Sequence, residues 1–137
     1  MNTNRLLLGT LTGFIGYFAA GGLLYTQVFH NMLATHNPGF ASVQMEPNMV
    51  ALVIGNLVAA FLLSYVFEKW ASIRNMLTGA LAGATIGLLV ALSYDSMIHG
   101  TTTLMTWTGV MIDVLAYTLV SAVGGALVAF GLSYKRV

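Results

Sequence analysis

Four helices crossing a lipid bilayer and packed as a bundle are the all-α fold that this sequence predicts, on two observations. Of its 137 residues, 58% are hydrophobic and 7% charged, with a mean hydropathy of +0.84, whereas a soluble domain carries about 25% charged residues. Four apolar runs also stand out, Leu6–Phe29, Met49–Phe67, Met76–Ile98 and Trp107–Tyr134, and a spanning helix needs about 20 residues. The composition excludes intrinsic disorder, and the length suits one integral membrane domain, residues 1–137. A net charge of +1 on scattered basic residues excludes nucleic acid as a partner and leaves the bilayer itself. The chain has no cysteine, which removes disulfides, iron–sulfur clusters and thiolate catalysis.

The first run follows Asn2, Asn4 and Arg5 and carries Gly9, Gly13, Gly16 and Gly21-Gly22. Ala19-Ala20-Gly21 resembles a secretory cleavage site, but the run is long enough to span, so a retained helix is expected. The connection His30–Asn48 is the longest, and Asn37-Pro38-Gly39 within it is a turn signal. It reads either as an ordered lid or as a loose excursion. The second run begins after Pro47 and Asn48 and shows Gly55-x3-Ala59 and Ala60-x3-Ser64. The third run repeats Gly79, Gly83 and Gly87 every four residues. In water each would cost about 1 kcal/mol relative to Ala; in lipid, small residues let neighbouring helices approach closely. The fourth run has Ser121-x3-Gly125-x3-Ala129. These glycine-zipper faces serve either packing within the bundle or a homo-oligomer. Trp70 and Trp107 fall at the expected membrane interfaces.

Arg5, Lys69, Arg74, Lys135 and Arg136 all fall on one side of a four-span layout, and the other two connections contain no Lys or Arg. The positive-inside rule makes that side cytoplasmic, with both termini inside, as in a bacterial inner membrane.

An offset of 69 residues aligns Gly55, Ala60, Phe61, Leu63, Ser64 and Tyr65 with Gly124, Ala129, Phe130, Leu132, Ser133 and Tyr134. It also pairs Arg5 with Arg74, Tyr25 with Tyr94 and His30 with His99. The expectation is an internal repeat of two tandem parallel helical hairpins, residues 1–68 and 70–137, related by a pseudo-two-fold axis along the membrane normal.

Two constellations carry chemistry. Asp113 lies about 9 Å inside the fourth run, from six residues at ~1.5 Å each. An acid at such depth points to function by default. Asn56 enters the second run from the same side, and Tyr117 stands one turn from Asp113 on the same face. With Tyr94, Asp95 and Tyr25 these residues form an expected polar cluster in the outer half. It reads as a pocket for an ion or small solute, or as an interhelical hydrogen-bond clasp. The second constellation is His30, Met32, Met97 and His99, whose imidazoles and thioethers suit copper, especially Cu(I). Paired histidines also admit haem. Otherwise methionine fills gaps, and no resident cofactor is expected. The sequence has no zinc-protease, serine-hydrolase or phosphate-loop motif, so nothing in it supports an enzyme.

Gly21-Gly22-Leu23-Leu24-Tyr25, Gly79-Ala80-Leu81-Ala82-Gly83 through Gly87, and Ile112-Asp113 followed by Tyr117 and Gly124-Gly125 resemble the small four-span bacterial membrane proteins grouped as domain of unknown function 1761. The resemblance implies the fold and no activity. The functional expectation is a non-enzymatic membrane protein whose outer-half pocket binds or passes a small solute or ion, with Asp113 central. The alternative is a structural or partner-binding module in which Gly79, Gly83, Gly87 and Gly125 are the working surface.

Overall fold

The computed structural model describes residues 1–134 and is all-helical over the four expected spans. Lys135 and Arg136, two of the residues used for orientation, lie outside the described residues. Helix α1 covers Thr3–Leu23 and runs on through a π-helical turn, Leu24–Val28. A short α2, His30–His36, and a 3₁₀ turn, Pro38–Ser42, follow. Helix α3 is Met49–Val66 with a second π-helical turn at Phe67–Ala71, α4 is Met76–Thr101 and α5 is Trp107–Ser133. All four long helices satisfy the length and apolarity needed to cross a membrane, as an integral membrane protein requires.

Each span starts where a polar side chain can hold the free backbone N–H groups of a first turn. Asn2 accepts from Arg5 N, Asn48 from Ala51 N, Asn75 from Leu77 N and Thr78 N, and Thr106 from Gly109 N, at 2.9–3.2 Å. Such caps are worth about 1 kcal/mol each. Ser72, with φ 51°, turns the chain out of the second π turn.

Helix α5 is the hub. Half of its apolar window is buried, against 22% for α3 and for α4. Helices α4 and α1 pack along two of its sides and α3 leans mainly on α1; among the described residues α3 and α4 share no comparable interface. The α4 contact is made by the glycine row. A Cβ on Gly83 would stand 3.0 Å from Gly125 Cα and closer still to the Ser121 carbonyl, and one on Gly79 would stand 2.5 Å from the Gly125 carbonyl. The obstacles are backbone, so the two helices touch main chain to main chain. On α1, Gly9, Gly13 and Gly16 instead receive the side chains of Leu132, Val128 and Leu127 of α5, and Thr12 Oγ1 donates to Leu127 O at 2.7 Å. Leu63, Phe67, Val128 and Leu132 close the core beside these contacts. The outward rows, such as Leu7, Leu11 and Ile15 on α1, are exposed to the surroundings as lipid-facing surfaces are.

The two ends of the bundle differ. At the basic end, Glu68 takes the Arg74 guanidinium and accepts from Asn2 N at 2.9 Å. Lys69 donates to Tyr65 OH at 2.9 Å, and Trp70 meets the Tyr65 ring edge-on at the surface. At the other end the His30–Asn48 connection is ordered through α2 and the 3₁₀ turn and lies over the α4–α5 connection, which decides for a lid.

Gly83→Ala is expected to lower the melting temperature in detergent. Alanine gains about 1 kcal/mol of helix propensity, but wedging a methyl against unyielding backbone typically costs about 1–3 kcal/mol. Gly55 has open space around it, so Gly55→Ala is expected to melt at or above the wild-type temperature. Equal melting of the two variants would contradict the main-chain contact.

Candidate functional site

The glycine row of α4 does not stop at Gly87. Continued in steps of four it reaches Ala91 and then Asp95, all buried on one face. The facing row of α5 runs from Gly125 back through Ser121 and Tyr117 to Asp113. The interface that is main chain against main chain at the basic end thus carries an acid from each helix at the other. Asp95 and Asp113 are close enough for their carboxyls to interact, and Tyr25 lies beside Asp113. The π turn of α1 puts Tyr25 there: Phe29 N donates to Leu24 O at 2.8 Å, five residues back, and the Thr26 hydroxyl bonds to the Gly22 carbonyl. That extra residue in the turn re-aims the side chains at the end of α1, a common role for π turns at functional sites.

These three side chains line a cavity of about 400 Å³. Leu33 and Ala34 of α2, Asn37, the following turn and strap through Phe40, Val43 and Gln44, and Ile98 and Met105 complete it. Asp95 is 6% exposed and its Oδ2 has no hydrogen-bond partner among the described groups. A buried carboxylate oxygen without a partner is costly, and a second carboxyl beside it adds repulsion. Positive charge placed between the two relieves both.

Below Asp113 the polar row continues without a cavity of comparable size. Tyr117 is one turn deeper, its ring 6.4 Å from that of Tyr17. Both tyrosines stand beside Ser121, which is fully buried and whose hydroxyl has no geometrically sound hydrogen bond among the described residues. Farther toward the basic end the glycine contacts and the Leu63–Val128–Leu132 core fill the interior.

Of the other candidates only His30 reaches the cavity. Asn56 is half-buried, and its Nδ2 donates to Leu52 O of its own helix at 2.8 Å, outside the cavity lining. Tyr94 is 62% exposed, on the outward side of α4. His30 is exposed and lines the cavity. His99 shares a 2.7 Å hydrogen bond between Nδ1 and Met105 O, and its ring stacks on Trp107 at 4.4 Å. Met32 and Met97 are exposed and outside the lining. Among the described residues no three His, Asp or Glu side chains gather as metal ligands would.

The sequence admitted a lid in this connection and a turn at Asn37, but not the contacts that seat it. Asn37 is 4% exposed, and its Oδ1 accepts from Thr106 N at 3.2 Å. Thr106 Oγ1 donates back to His36 O at 2.6 Å. Gly109 makes the seat, since a Cβ there would collide with the Asn37 amide. The latch therefore depends on one buried amide and one absent side chain. Asn37→Ala leaves a backbone N–H without its acceptor, a loss of about 1–3 kcal/mol. The expected result is faster proteolytic cleavage between His30 and Asn48 in detergent, with the four spans still protected. Unchanged cleavage would show that the latch does not hold the lid.

No protein-family model, curated protein or solved structure matches the chain.

Proposed function

We propose that this membrane protein holds a small solute or ion in the lidded cavity, with Asp113 and Asp95 as the charged floor. The observation that carries the reading is the meeting of two acids, one of them buried with an unfilled acceptor, beneath an ordered lid. Binding is favoured over free passage, because glycine contacts and branched side chains pack the half of the bundle beyond Tyr117. The packing-module reading draws less support: the rows of α1 and α4 are used against α5 within one chain, which leaves Gly55 facing open space.

The basic residues Arg5, Lys69 and Arg74 gather at the end away from the cavity, which supports a cytoplasmic basic end and a cavity open to the outer side. A bacterial inner membrane and the resemblance to domain of unknown function 1761 belong to the same proposal. So does the duplicated hairpin. It rests on the residue matches at an offset of 69. A two-fold exchanging α1 with α4 and α3 with α5 would also pair α3 with α4 as α1 pairs with α5, and among the described residues that interface has no counterpart.

The test is a thermal-unfolding screen of purified wild type and Asp113→Asn against protons, inorganic cations and small solutes. A ligand bound only by the native state at a hundred times its Kd adds about 2.7 kcal/mol. The expected outcome is at least one ligand that stabilises wild type and not the variant. If none discriminates and Asp113→Asn melts at or above wild type, the acids are a packing clasp.

A further inference from the structure

We propose that the ligand is a small organic ammonium ion with an apolar body. This rests on reading the cavity as a binding site and adds the chemical class of what it takes. Charge is the first argument. Two carboxyls, from α4 and α5, face one space, and among the described residues His30 from α2 is the only basic side chain in its lining. Tyr25 from α1 and Tyr117 on α5 are the other titratable groups near the pair, and neither supplies positive charge. Arg5, Lys69 and Arg74 are at the opposite end of the bundle. An anion would meet two acids, and a neutral guest would leave their repulsion in place.

The second argument is the unfilled acceptor. Asp95 is only 6% exposed, and Oδ2 lacks a donor among the described residues. An ammonium group carries N–H donors and charge together, so one group serves both carboxyls.

The walls decide between an organic and an inorganic cation. A hard cation such as Ca²⁺ takes about 6–8 oxygen ligands, whereas among the described residues no three His, Asp or Glu side chains gather as metal ligands would, and the lining beyond the carboxyls, Tyr25, His30, Asn37 and Gln44 is apolar. Leu33, Phe40, Ile98 and Met105 suit a hydrocarbon body, and Tyr25 and Phe40 provide aromatic faces that attract cations. The volume of about 400 Å³ is in the range of small-molecule sites.

The test uses purified full-length protein in detergent and isothermal titration with three sets of probes. These are 2-phenylethylammonium and hexylammonium, the alcohols 2-phenylethanol and hexanol, and sodium, potassium and calcium chlorides. The expected result is saturable binding of the ammonium ions, at least tenfold tighter than the matching alcohols. Asp95→Asn and Asp113→Asn should each erase most of that difference, which separates the site from partitioning into the micelle. Alcohols binding as tightly as amines, tighter binding of the inorganic cations, or no saturable binding of either ammonium ion would each overturn the proposal. Ala34→Trp, on a lid residue outside both apolar cores, fills the cavity and separates the two levels of failure. Alcohol or inorganic-cation binding that Ala34→Trp abolishes leaves the cavity as a binding site and removes only the amine. Binding that Ala34→Trp leaves intact removes the cavity as well.

Discussion

The main-chain contact between α4 and α5 is the constraint on which the rest of this bundle depends. In lipid there is no hydrophobic force to drive helices together, because an acyl chain solvates leucine as well as another leucine does. What remains is dispersion over closely fitted surfaces, and Gly79, Gly83 and Gly87 against Gly125 and Ser121 provide it by removing every atom between two backbones. The contact also sets azimuth. From Gly83 and Gly125 the rows in steps of four, each step drifting about 40° around its helix, lead to Asp95 and Asp113, which line one cavity.

The result is a bundle with two different halves. Toward the basic end the α4–α5 interface is built from glycine and other small residues, and α1 closes the other side of α5 by seating Leu127, Val128 and Leu132 on its glycines. Toward the lid the same rows end in longer polar side chains, and the π turn at Leu24–Val28 changes the course of α1 at that level. A cavity forms where close packing ends. The lid is then seated by Asn37 on Gly109, and its inner surface supplies much of the apolar wall. Site, lid and packing are therefore one problem: loosening the α4–α5 contact would alter the spacing of the acids without touching either.

Some of the site was legible from residue type and depth. Asp113, Asp95 and Tyr25 were placed in the cavity half by counting along their helices, and they line the cavity. Depth alone fails on azimuth. Tyr94 is next to Asp95 in sequence, but one residue is about 100° of rotation on a helix, and it emerges on the outward side. Continuing the row from Gly79 in steps of four would have selected Asp95 and rejected Tyr94. Asn56 stands four residues before the buried Ala60 and shares its face, yet its amide is satisfied by Leu52 of its own helix. No spacing rule announces a side chain that folds back on its own backbone.

The sequence by itself determined that the chain has four helices long and apolar enough to cross a membrane and that three of them begin at Met49, Met76 and Trp107, because hydrocarbon thickness and capping chemistry act locally and leave local marks. The first begins at Thr3, three residues before its apolar run, where Asn2 caps it. It also determined which faces can approach closely, since glycine spacing is written along the chain. Only the tertiary structure decided that α5 is the hub, that the glycine rows are used within one chain, that the long connection is a latched lid, and that two acids from different helices share one cavity. Those outcomes depend on the rotation of each helix about its axis and on contacts such as Asn37 with Thr106, far apart in sequence. In a bilayer apolar residues face lipid and core alike, so hydrophobic periodicity cannot fix that rotation; the fit of backbone against backbone does.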